Sequence, residues 1–251
     1  MIWFIIATLV AFFIKGLCGF ANTLIFNGIL SYTANNINIS PLEVVLGYPS
    51  NIILVWKERK SLNWKIWLPL TALVVAGSIP GIFLLKHTDA GLLKVIFGIA
   101  VIVIGVEMLF REMKSNRESS NRESSNRKPG DSKLVLVLIG IISGLLCGLY
   151  GVGALLAAYV SRVAENSHEF KANICVVFVV ENTIRIILYV ATGILTLSVL
   201  KQVVILIPFM LAAVFLGMKS SSVLNEKIIK KIVIVLLILS GIVLIINNIP
   251  R

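Results

Sequence analysis

Eight apolar runs, most of them near the ~20 residues that cross a bilayer as helix, constrain this chain more than any other feature. They fall at about 2–33, 41–56, 66–85, 91–110, 133–160, 171–192, 199–218 and 228–247. Of the 251 residues, 58% are hydrophobic and 14% are charged, against ~25% charged in an average soluble domain. A soluble fold has no place for so much apolar surface. A bilayer removes it from water instead. The expectation is an all-α polytopic membrane protein, multi-pass in the cell membrane. The first run opens at Ile2 without a basic n-region or a small-residue cleavage pattern, so it reads as a membrane segment rather than a signal peptide.

Two runs are too long for one crossing and are interrupted. The first breaks at Lys15-Gly16-Leu17-Cys18-Gly19, the fifth between Gly144 and Gly153. Glycine clusters weaken helices and permit turns. Between the fourth and fifth runs, residues 111–132 form the only long polar stretch, with Ser-Asn-Arg-Glu-Ser repeated at 115–119 and 120–124. Such a stretch reads as a flexible cytoplasmic linker. It divides the chain into a first membrane repeat (1–110) and a second (133–251). The halves echo each other in order: Leu17-Cys18-Gly19 with Leu146-Cys147-Gly148, Ser50-Asn51 with Glu181-Asn182, Pro69 with Pro208, and Gly81 with Gly217. Ordered internal duplication is typical of secondary transporters.

Loop charges choose between two topologies. If every run crosses once, thirteen basic residues lie inside and eight outside. If the two broken runs are hairpins that enter and return on one side, seventeen lie inside and four outside. Cytoplasmic loops concentrate Lys and Arg, so the hairpin arrangement is preferred. It predicts two inverted repeats, each a broken, re-entrant glycine-rich hairpin plus three transmembrane helices. Two tips then meet near mid-membrane, where irregular backbone is tolerated only when buried or lining a cavity.

Candidate site residues follow from polar groups at membrane depth, which are costly and suggest function. Glu181, Asn182 and Arg185 lie mid-way along the sixth run. Glu181 and Arg185 are four apart, share a helical face and are able to pair. A structural ion pair is the plain alternative. Arg185 offers a planar donor fork to an anion, and Asn182 offers further donors. Lys15 stands at the first break, where snorkelling to the interface is an equal alternative. Gly19 at the first tip, and Gly148, Tyr150, Gly151 and Gly153 at the second, are candidates because open backbone N–H groups bind anions. Close packing of small residues is their alternative. Asn22 and Asn51, polar groups inside apolar runs, either line the same cavity or bond between helices.

Other chemistries lack their parts. The net charge of +11 fits basic cytoplasmic loops; no basic stripe with interleaved aromatics suggests nucleic acid. Cys18, Cys147 and Cys175 fit neither a disulfide framework nor a zinc site and read as packing residues. No His-Glu-x-x-His, carboxylate cluster or Ser-His-Asp set is present, so no enzyme, metal or cofactor is expected.

The stretch Ile39-Ser40-Pro41-Leu42-Glu43-Val44-Val45-Leu46-Gly47, followed by Leu62-Asn63-Trp64-Lys65 and Pro69, resembles the TauE/SafE sulfite-exporter family. Phe170-Lys171-Ala172, Glu181-Asn182, Arg185, Tyr189 and Gly193, with Lys230-Lys231 and Leu239-Ser240-Gly241, are similar to its second half. The resemblance implies export of sulfite, a sulfonate or a related sulfur-containing anion. The family's first tip usually carries a glycine run; here it reads Cys18-Gly19-Phe20-Ala21-Asn22, which is bulkier. The expected partners are a small anionic substrate and the lipid bilayer, with a homodimer among the assemblies the sequence leaves open. An anion channel and a non-transporting membrane scaffold are the alternatives.

Overall fold

In hydrocarbon every backbone polar group has to be satisfied within its own segment, and every described element is accordingly a helix. A computed structural model describes residues 1–30, 36–87, 133–150 and 153–223, with scattered positions between 95 and 110 and between 228 and 246. The 111–132 linker lies outside the described residues. The elements are α1 (Ile2–Cys18), α2 (Asn22–Leu30), α3 (Asn36–Glu58), a 3-10 turn (Arg59–Ser61), α4 (Trp64–His87), α5 (Lys133–Tyr150), α6 (Ala154–Val163), α7 (Ser167–Ala191) and α8 (Leu197–Ser221). Three spans among the described residues are long and apolar enough to cross a membrane: Ile39–Ser61, Ser167–Ala191 and Leu197–Ser221. Ile2, Trp3, Ile187, Val190, Val204, Phe215 and Leu216 are exposed, the surface expected of a protein whose outer solvent is lipid.

Both interruptions are present, with one correction. The first falls at 19–21, between α1 and α2. The second falls at Gly153, just before α6 and at the far end of its glycine-rich run. Gly144 and Gly148 lie inside α5, not at a break. They are small because α4 lies against them: a Cβ on Gly144 would overlap Val74 O and Gly77 Cα, and one on Gly148 would overlap Ser78 O.

Glycine also sets the crossing of α1 and α8. A Cβ on Gly16 would strike Val214 O and Gly217 Cα, while one on Gly217 would strike Phe13 O and Gly16 Cα. Gly98 and Gly241 meet in the same reciprocal way. Such approach lets helices without a hydrophobic drive between them gain dispersion and weak polar contacts. The first helix of each half therefore lies on a helix of the other half: α1 on α8, and α5 on α4. Between these pairs α3 packs on α7 and α8, with α2 and α6 beside them.

One end of the molecule collects polar contacts from distant segments. Asn63 N donates to Asn173 Oδ1 at 2.9 Å, Asn63 Nδ2 to Glu169 Oε1 at 2.9 Å, and His168 Nδ1 lies 2.7 Å from Glu58 Oε2. Lys57 reaches Met218 O at 3.5 Å, and Lys171 bonds Ser221. The α3–α4 turn, the start of α7 and the end of α8 thus share one face. Trp56 and Trp64 are exposed beside that turn, and Arg59 stacks 4.6 Å over the Trp56 ring. Aromatic and basic residues together mark a membrane–water interface.

Candidate functional site

The first break follows from local backbone chemistry. Gly19 adopts φ 86°, the left-handed conformation that ends many helices, and its N–H returns to Lys15 O at 2.7 Å. Ala21 follows at φ 71°, unusual for a residue with a Cβ, and α2 starts at once with Asn22. Thiols sit at the turn: Cys18 Sγ lies 3.0 Å from Ile14 O and 3.3 Å from Phe20 O, sharing one hydrogen between them, and Cys175 Sγ donates to Gly19 O at 3.3 Å. At the second break Gly153 precedes α6, and a Cβ there would run into the Phe178 ring. The first-turn N–H groups of each helix have no partner within the helix.

Both starts face one polar cavity. Phe20, Ala21, Asn22, Thr23 and Leu24 line it from the first tip, Gly153 from the second, Lys15 from α1, Glu43 and Asn51 from α3, and Phe178 and Asn182 from α7. Its volume is about 20 Å³, room for little more than one water-sized group. Helix α7 is about 37 Å long at 1.5 Å per residue, and Phe178 and Asn182 stand near its middle, so the cavity lies half-way along this helix.

The polar groups at this depth are unevenly satisfied. Glu43 Oε1 accepts from Asn22 Nδ2 at 2.5 Å and from Thr23 Oγ1 at 2.7 Å. Lys15 is 1% exposed, packs over Phe12, and has no hydrogen-bond partner among the described residues. Asn51 is also 1% exposed, and neither of its amide atoms has a partner. A group that costs about 1–3 kcal/mol to leave unpaired and that points into a polar cavity is suited to meet a ligand. Gly47 makes room for the arrangement: its absent Cβ would lie 3.3 Å from Glu43 Oε1 and 3.6 Å from both Asn182 Nδ2 and Asn22 Nδ2.

Arg185 stands behind this cavity and does not line it. It is fully buried. Its Nε donates to Tyr189 Oη at 2.9 Å, an Nη2 bond goes to Ser40 Oγ, and those two hydroxyls are 3.1 Å apart. Nη1 has no hydrogen-bond partner, nor has Glu181 Oε1. No hydrogen bond joins Glu181 to Arg185, although their charges act on each other; the guanidinium is held through Ser40 and Tyr189. Around the cavity the buried charges of Lys15, Arg185, Glu43 and Glu181 sum formally to zero.

Of the residues singled out in the sequence, Lys15, Asn22, Asn51, Asn182 and Gly153 line the cavity. Gly19 sits in the adjoining turn, Glu181 and Arg185 lie deeper, and Gly148 packs on α4. The Tyr150 side chain and Gly151 lie outside the described residues. Glu43, Thr23 and Ser40 were not singled out. Glu43 had a readable signal, a carboxylate inside an apolar run; Thr23 and Ser40 had none, because a hydroxyl in an apolar helix commonly bonds its own backbone. Among the described residues no group of His, Cys, Asp and Glu is arranged to hold a metal.

A family model described as Sulfite exporter TauE/SafE matches residues 4–244. No curated protein and no solved structure gives a match.

Proposed function

Since the chain belongs to the TauE/SafE sulfite exporter family, we propose that it is a multi-pass carrier moving sulfite or a related sulfur oxyanion, such as an organosulfonate, out across the cell membrane. The observation that carries this reading is the meeting of two interrupted helices, α2 and α6, at one mid-depth cavity beside the unpaired ammonium of Lys15. Helix starts present N–H donors and a positive dipole end to an anion. Carriers built from broken helices use such ends on anionic substrates. Asn51 and Asn182 add amide donors, and Arg185 adds positive charge from behind. At its present volume the cavity admits an oxyanion only as the tips part.

The same reading takes the halves as inverted repeats. Its support is threefold: Asn51 and Asn182, aligned between the halves, line one cavity; α1 on α8 is answered by α5 on α4; and the basic segments around 57–65, 171 and 219 gather at one end, as the hairpin topology requires.

Sulfite counterflow in proteoliposomes tests the carrier. Saturable uptake, stimulated by sulfite on the far side and absent from protein-free vesicles, is the expected result. An Asn51→Ala/Asn182→Ala protein should need more sulfite for half-maximal rate. Steady flux without counterflow stimulation would instead make the protein a channel.

A further inference from the structure

Glu43 is a buried carboxylate that anion binding as described does not need. It lines the cavity, is 3% exposed, and holds the Asn22 and Thr23 side chains at the first turn of α2. An anion approaching that helix start would meet a carboxylate already engaged with the donors around it. The charged groups near Glu43 are Lys15 on α1 and Arg185 on α7, with Glu181 on α7 and the Cys147 thiol on α5 beyond them. Two cations and two carboxylates leave this interior formally neutral. Adding an anion leaves an excess negative charge in a medium where uncompensated charge is expensive.

We propose that Glu43 is the proton-carrying residue of this carrier: its ionised carboxylate and the substrate anion compete for the first turn of α2, so each anion travels with one proton on Glu43. This rests on the carrier reading above. On the loading side a proton from water forms an O–H bond on Glu43 as the anion enters. The neutral acid can keep one acceptor oxygen toward Asn22 and Thr23, while Lys15, Asn51 and the helix starts turn to the substrate. On the far side the anion leaves, the O–H bond breaks, and the proton returns to water. No covalent change occurs in the substrate. By reciprocity of linkage, the anion raises the proton affinity of Glu43 as much as the proton raises that of the site for the anion.

The choice of Glu43 over Glu181 comes from position. Glu181 does not line the cavity and touches neither helix start. Glu43 lines the cavity and holds the first turn of α2.

The test uses the full chain in proteoliposomes with the membrane potential clamped at zero. Sulfite counterflow is measured first, then sulfite accumulation driven by an imposed pH gradient, with protein-free vesicles subtracted for leakage of neutral sulfur dioxide. With hydrogensulfite, the monoanion, as the carried species, wild type should hold it on the alkaline side at about tenfold per pH unit above the equal concentrations of uncoupled exchange, for one proton per anion. In Glu43→Gln that extra accumulation should vanish, because Gln fills the same space but carries no proton. Glu43→Asp, which keeps a carboxyl group, should retain it. Extra accumulation that persists in Glu43→Gln would overturn the proposal. So would a wild-type protein with strong counterflow but no extra accumulation, a result that needs no variant to fold. Absence of counterflow in wild type would overturn the carrier reading itself, and this assignment with it.

Discussion

Lys15→Met isolates the contribution of a single charge to the cavity. Methionine keeps the length and packing of the side chain over Phe12 and removes only the ammonium. Two unit charges about 4 Å apart attract by about 4 kcal/mol at an effective dielectric constant near 20. Part of that is cancelled, because the anion gives up hydration and Glu43 already lowers the local potential. A hydrogen bond to a charged group is worth about 1.5–3 kcal/mol net. Loss of Lys15 should therefore weaken sulfite binding by roughly 10- to 150-fold. Equilibrium binding to purified protein in detergent and the half-saturating concentration in counterflow both report the change. Lys57→Met, at the interfacial turn, serves as the control, since its ammonium reaches only Met218 O at 3.5 Å and should leave the affinity unaltered. A Lys15→Met protein that folds and stays within threefold of wild type would refute the assignment. The anion would then be held by backbone donors alone or somewhere else.

Asn51→Leu should separate stability from function: removing two unpartnered amide atoms should stabilise the protein by about 1–3 kcal/mol, read as a higher melting temperature in detergent, while sulfite flux falls. Gly217→Ala should destabilise by about 1–3 kcal/mol, because its new methyl meets Phe13 O and the Gly16 backbone. Combining it with Gly16→Ala should cost less than the two single changes added together, since both load the same crossing; additive melting shifts would refute a shared contact. Tyr189→Phe removes one hydrogen bond to the Arg185 guanidinium and should cost about 1.5–3 kcal/mol, measured by reversible unfolding.

The helical fold and its two interruptions were legible because their causes are local. An apolar run of given length reads as helix, and Gly19 ends α1 through its own backbone. Other glycines are harder to read. Gly144 and Gly148 looked like a break and prove to be contact points. What separates the two uses is the backbone of α4 lying against them, and no window of sequence around 144–148 contains it. The site shows the same division. Lys15, Asn51 and Asn182 stood out as polar residues in apolar runs, and the fold brings them to one cavity. The i, i+4 spacing of Glu181 and Arg185 suggested a pair, yet Tyr189 stands one further turn along and Ser40 comes from α3. These hydroxyls take the guanidinium instead. Glu43 carried a local signal as a carboxylate in an apolar run, but its hold on Asn22 and Thr23, some twenty residues away and on another helix, is written in no local window.

The glycine crossings have a mechanical consequence. The linker divides the covalent chain into two halves, but close backbone contact divides the folded protein differently. Helix α1 is seated on α8 and α5 on α4, each joint made from one helix of either half, and the bare backbones leave no side-chain cushion across which to slide. Any motion that opens the cavity has to carry these joints as intact blocks and find its seam elsewhere, along the long faces where α3 and α7 run past each other. Units that move in this way would be composites stitched across the two halves of the chain.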